Sequence, residues 1–129
     1  MLEGFTELLN IELPGVFPFA RTKGGKTDLD TRNEIRSKTE KDLKKINRIY
    51  KEFAFEIRVW KCGNRLVDLD NVTKPILDSF AIKQWNKDRH PNPKLGLYLD
   101  DTLDNVVEVH LYGERSDDLN WTEVTIYGR

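Results

Sequence analysis

The 129-residue sequence predicts an α+β domain: a mixed β-sheet with two main helices. Three observations lead there. Apolar and polar residues alternate over several short stretches, as half-buried strands require. Two intervening stretches switch to helical spacing. The order is strand, helix, strand, helix, then several strands, the pattern of an α+β fold and not of a bundle or sandwich. With 38% hydrophobic residues the chain has material for one modest core, so residues 1–129 are expected to form a single domain.

In "ELLNIELPG", Leu9, Ile11 and Leu13 alternate with polar neighbours, predicting a first strand that Pro14-Gly15 ends. The next stretch, "VFPFARTKGGKTD", sets Lys23 and Lys26 on either side of Gly24-Gly25 and reads as a flexible basic loop. Thr31-Arg32-Asn33-Glu34 fits a capping box, in which hydroxyl and carboxylate satisfy the orphan amides of a helix start. The helix it opens has a narrow apolar stripe of Ile35, Leu43, Ile46 and Ile49 or Tyr50, and is basic elsewhere. "FAFEIRVWK" alternates again and predicts a second strand, continuing loosely towards Val67.

A second helix is predicted over 74–82, with Pro75 in its first turn, where a missing amide costs little. Ile76, Leu77 and Phe80 supply its buried side. "KQWNKDRHPNPKLG" is polar, holds two prolines and is expected to be a loop. "LYLDD" reads as a short strand, "DNVVEVHLYG" as a longer one through Val107, Val109 and Leu111, and "WTEVTIYG" as the last.

Composition narrows the function. No run approaches the apolar length that spans a bilayer, and the opening "MLEGFTELLNIELPG" has no Lys or Arg for a signal peptide. Cys62 is the only cysteine, which excludes an internal disulfide and a cysteine-based zinc site. A soluble protein of the reducing cytoplasm is expected. A third of the residues are charged, yet the formal net charge is -1. The placement is uneven: residues 21–51 hold eleven basic and five acidic residues, and residues 98–129 hold two basic and eight acidic. Such asymmetry can separate a polyanion-binding arm from a cation-binding site, although a solvated helix face has the same composition.

Chemistry concentrates in "RLVDLDNVTKPILDSF". On extended backbone, Asp68 and Asp70 would present their carboxylates to one side while Leu69 turns into the core. Two neighbouring carboxylates repel unless a cation lies between them, and hard oxygen donors suit Mg²⁺ or Mn²⁺. Downstream, one of Asp100 and Asp101 would complete the site, since adjacent residues of a strand face opposite ways. Lys74 would neutralise a phosphate or the charge that builds during hydrolysis. The plain alternative makes Asp70 or Asn71 a helix cap and Lys74 an i,i+4 partner of Asp78.

"DLDNVTKPILDSF" followed by "YLDDTLDNVVEVH" resembles the RusA family of Holliday junction resolvases, Mg²⁺-dependent endodeoxyribonucleases of bacteria and their phages. The family pattern is Asp-x-Asp-Asn-x-x-Lys, a helix with Leu-Asp, then Asp-Asp before a hydrophobic strand. "LPGVFPFARTKGG" is similar to the family's opening strand, proline-containing turn and basic loop. The resemblance spans most of the chain. It implies a RusA-like fold, metal-binding and catalytic roles for Asp68, Asp70 and Asp101, and a catalytic or phosphate-contacting role for Lys74. It also implies a homodimer acting on four-way junctions, with the basic loop (Arg21, Lys23, Lys26) and the first helix on the phosphate backbone. A non-catalytic protein that binds branched DNA, and a small structural module without metal, are the competing readings.

The remaining features carry less. Trp60 and Trp121 lie on predicted strands and are expected in the core, which leaves Trp85 as the surface tryptophan for base stacking. His90 is expected at the surface and His110 on a strand. Cys62 has no neighbouring base to activate it. Asp104, Glu108, Asp117 and Asp118 are expected to form a solvated acidic face.

Overall fold

A computed structural model describes residues 3–15, 28–63 and 69–129, apart from the side chains of residues 69 and 70. The elements run β1 (Thr6–Pro14), α1 (Asp28–Lys45), β2 (Phe53–Lys61), α2 (Leu69–Asp78), α3 (Ile82–Lys87), a 3₁₀ turn (Pro93–Leu95), β3 (Val106–Arg115) and β4 (Trp121–Gly128). The four strands form one mixed sheet in the order β1-β4-β2-β3. β4 pairs antiparallel with β1 and β2, and β3 runs parallel to β2. Parallel neighbours need a crossover, and α2 with α3 supplies it. The fold is α+β. Among the described residues no helix is long and apolar enough to cross a membrane.

Strand alternation places its apolar residues in rows across the sheet. Leu9, Ile126, Phe55 and Val109 make one row, and Ile11, Val124, Ile57 and Leu111 the next. This face packs against Ile35 and Leu43 of α1, Val72, Ile76 and Phe80 around α2, and Trp85 of α3. The other face is largely polar, with Asn10 bonded to Thr125 and Glu123, and the Tyr127 hydroxyl donating to Glu56. At one end of the sheet Asn120 ties two strands, accepting the Cys62 amide on its side chain and the Gly15 amide on its carbonyl.

The helices depart from expectation, each for a physical reason. α1 runs from Asp28, so Thr31 lies inside the helix and not at its cap. Asp28 and Asp30 occupy its first turn and Lys44 and Lys45 its last, both favourable to the helix dipole. Its buried stripe is Thr31, Ile35, Thr39 and Leu43, joined by Arg36. Thr39 can be buried because its hydroxyl donates to the Ile35 carbonyl. Past Lys45 the helix stops, leaving Ile49 95% exposed.

α2 starts at Leu69 and not at Lys74, so Pro75 stands in the body of the helix. The segment read as a loop after it contains α3 and the 3₁₀ turn. Trp85, the tryptophan expected at the surface, is fully buried, whereas Trp60 and Trp121 are half-buried on β2 and β4. Its indole N–H donates to the Ser79 carbonyl at 2.6 Å and the Arg36 guanidinium sits 4.9 Å from its ring centroid. His90 is half-buried, edge-on to the Trp85 ring. "LYLDD" is not a strand: only Tyr98 makes a bridge, to Ala81.

α3 is held on α1 by charge. Asp88 accepts two bonds from Arg32 (2.7 and 2.8 Å), one from Arg36 (2.8 Å) and one from Gln84 (2.9 Å). Burial pushes its carboxyl up, but these donors outweigh that and hold it at about 2. A carboxyl depressed in the folded state stabilises the fold above its ordinary range, and that contribution is lost as pH falls from about 4 through about 2. After discounting for solvent screening the contribution is on the order of 1–2 kcal/mol. Urea midpoints should therefore drop across this window, and drop less in Asp88→Asn. An equal drop in both proteins would remove Asp88 as the cause.

Candidate functional site

Of the residues singled out by sequence, Arg21, Lys23, Lys26 and Asp68 lie outside the described residues, as do Gly24-Gly25, the stretch towards Val67 and the side chain of Asp70. What the structure describes is the other half of the cluster, around Lys74 and Asp101.

The extended backbone expected through Asp70 gives way to helix from Leu69 onward, so the same-side argument for alternate residues does not apply at Asp70. Helical spacing replaces it. Asp70, Lys74 and Asp78 occupy positions i, i+4 and i+8 of α2, one face of the helix.

The bend that carries Asp101 is fixed to the α2–α3 joint from several sides. The Leu97 amide donates to Phe80, and the Ile82 and Lys83 amides donate to Tyr98 and Leu99. The Tyr98 hydroxyl, buried to 3% exposure, donates to the Leu77 carbonyl at 2.6 Å. Burial, followed by the charges of Asp101, Asp78 and Asp100, holds that phenol well above its ordinary value, so it remains a donor. Within the bend, the Asp101 amide donates to the Asp100 carboxylate and the Asn105 side chain donates to the Asp100 carbonyl.

With the bend so placed, the Lys74 ammonium lies 2.9 Å from Asp101 Oδ2 and 3.0 Å from Asp78 Oδ1. Both the helical partner and the distant one are therefore engaged. The two carboxylates are only 15% and 16% exposed, while the Lys74 side chain is 60% exposed and reaches in from solvent. Partial burial works to lower the Lys74 ammonium, but the bonds it donates to Asp101 and Asp78 outweigh that and leave it above its ordinary value. Asp78 is pushed up by burial, which the ammonium offsets only in part. The neighbouring Asp100 carboxylate lies 3.6 Å from Lys83. Its carboxyl is held below the ordinary range by hydrogen bonds from Asp101, with Lys83 adding to the effect.

Asp100 and Asp101 lie on a bend and not on a strand, so the expectation that they face opposite ways, which rested on strand geometry, does not apply to them. Asp78 was legible only as a helical salt-bridge partner. Its spacing of four from Lys74 was the signal for the pair that the structure contains. Asp78, Asp100 and Asp101 are hard oxygen donors, chemistry that fits Mg²⁺ or Mn²⁺. Among the described residues, however, no group of three or more His, Cys, Asp or Glu stands ready to hold a metal ion. No family model matches this chain, and no curated protein matches it.

Proposed function

We propose that the chain is a Mg²⁺-dependent endonuclease of branched DNA, acting on four-way junctions in recombination and repair as a homodimer with one site per subunit. The observation that carries this reading is the junction of Lys74 with Asp101, 27 residues apart in sequence, on a rigidly held bend. An ammonium held in place by carboxylates supplies a positioned positive charge for a phosphate oxygen. Asp68, Asp70 and Asp101 would hold the cation, and Asp78 would keep the Lys74 ammonium charged and in place. When bound, Mg²⁺ supplies a Lewis acid that lowers the pKa of the attacking water and neutralises a phosphate oxygen. Lys74 adds its positive charge as negative charge gathers on the phosphate. Water adds to phosphorus, one P–O bond breaks, and the departing oxygen takes up a proton. A junction with two-fold symmetry receives its paired cuts from two symmetry-related sites.

The test is cleavage of four-way junction, flap and duplex DNA with and without Mg²⁺. Nicked junction that appears only with the cation supports the reading. Junction binding without product would make the chain a non-catalytic protein for DNA structure. Absence of binding, together with absence of any Mg²⁺ or Mn²⁺ thermal shift, would leave a structural module. Asp70→Asn removes charge at nearly constant shape, so it should abolish cleavage while junction binding holds or tightens. Near-normal cleavage in that variant would take Asp70 out of the site. Replacing Lys23 and Lys26 with Ala should flatten the salt dependence of binding, because each phosphate contact contributes a slope of roughly -0.9. An unchanged slope would move the DNA to another surface.

A further inference from the structure

A groove of about 390 Å³ lies between the end of α1, the segment leading into β2 and the 3₁₀ turn. Its floor is apolar, formed by Leu43, Ile46, Tyr50, Leu95 and Leu97. Its rim carries Lys44, Arg48 and Lys94, and among the described residues none that lines it is acidic. Lys44 has a helical partner in Glu40 at 3.5 Å, an exposed pair of little energetic weight. The Arg48 guanidinium lies 5.5 Å from the Tyr50 ring centroid, over the ring. Ile49 also lines the groove and is 95% exposed, so a large aliphatic side chain stands in water beside the opening. None of these residues belongs to the Lys74 cluster.

We infer that this groove docks a partner protein through an acidic segment that carries an apolar anchor. The two halves of the recognition follow from the two halves of the site. Carboxylates answer the three cations at the rim, and a Leu, Ile, Phe or Trp side chain fills the floor and covers Ile49. Burying such a side chain contributes about 1.5–3 kcal/mol, enough to anchor a short segment once charge has oriented it. Nucleic acid fits less well. Single strands bind on exposed aromatic faces, whereas this floor is mainly aliphatic, Phe53 is only 2% exposed and Arg48 covers Tyr50.

The experiment is an array of short peptides that combine several carboxylates with Leu, Ile, Phe or Trp, probed with the full chain. The best binder is then measured by fluorescence anisotropy. Saturable binding is expected. It should weaken at least about tenfold, a change of roughly 1.4 kcal/mol, in Ile49→Asp and in Lys94→Glu, and likewise when Ser replaces the apolar anchor. Both residues are exposed, so the melting temperature of each variant should match the parent. The inference is overturned by an array with no binder, by binding that neither variant shifts, or by equal binding of the anchorless peptide. It is also overturned if a thymidine oligonucleotide displaces the peptide and binds through the same residues, or if Ile49→Asp instead dissociates a dimer.

Discussion

Lys74→Ala is expected to slow single-turnover cleavage of a four-way junction by about 10²–10³-fold, the size of effect that follows loss of one preorganised electrostatic donor. The fold should barely register the change. The side chain is 60% exposed, and ion pairs of this kind contribute about 0–1 kcal/mol. Affinity for Mg²⁺ should hold or rise. The ammonium now neutralises Asp101 and Asp78, and its removal leaves two carboxylates with a stronger demand for a cation. Turnover and the Mg²⁺ midpoint should therefore move separately, which a merely structural lysine would not produce. Lys74→Arg should recover part of the rate, since guanidinium keeps the charge but differs in reach and in the direction of its donors. Full activity in the Ala variant, with an unchanged Mg²⁺ midpoint, would return Lys74 to an ordinary helical pair with Asp78.

How much of this was legible in the sequence depended on which periodicity the buried face wrote into it. β1 and β2 pack one face against helices, so their apolar residues alternate and both strands were legible, although β2 ends at Lys61 and does not carry on through Cys62 and Gly63. α1 was legible as a helix but its stripe only in part, at Ile35 and Leu43, because Thr31, Thr39 and Arg36 are buried alongside them. A polar residue becomes a core residue when something bonds it, and sequence spacing does not display the bond. The segment around Trp85 failed for the same reason. Its neighbours are Lys, Gln, Asn and Asp, yet Ser79 accepts the indole N–H, Arg36 lies over the ring, and the tryptophan is fully buried. In the candidate site, helical spacing announced Lys74 with Asp78. Asp101 was a candidate through its acidic cluster, but its approach to Lys74 depends on a bend pinned by Tyr98, a contact that only tertiary structure supplies.

Asp88 had no place in the sequence reading, and Asp88→Ala is expected to be the costliest single change to the fold. Its side chain is 7% exposed and it is shared by Arg32 at 13% and Arg36 at 1%. Removing the carboxylate leaves the Arg36 guanidinium buried with only the Ser79 carbonyl at 3.3 Å and Asn33 Oδ1 at 3.4 Å, both long bonds. Its Nη2 is already buried without a partner. Breaking such a buried pair on one side costs about 3–5 kcal/mol. For a domain of this size that lowers the melting temperature by roughly 10–20 °C. Arg32 loses its two-pronged partner as well, so α3 and the bonds its first amides donate to the Tyr98 and Leu99 carbonyls should loosen with it. The cost belongs to the stranded charge more than to the pair itself, and this gives the second arm. Arg36→Met combined with Asp88→Leu removes both charges and refills the space, and such replacements are often neutral or stabilising. The double variant should accordingly melt above Asp88→Ala, with a coupling of about 0.5–3 kcal/mol between the two positions. Thermal unfolding of Asp88→Ala, and of Arg36→Met, Asp88→Leu and their double, decides the matter. A single Asp88→Ala variant that melts with the parent, or a double variant whose loss is the plain sum of its parts, would show that α3 is held on α1 by its apolar contacts and not by this charge cluster.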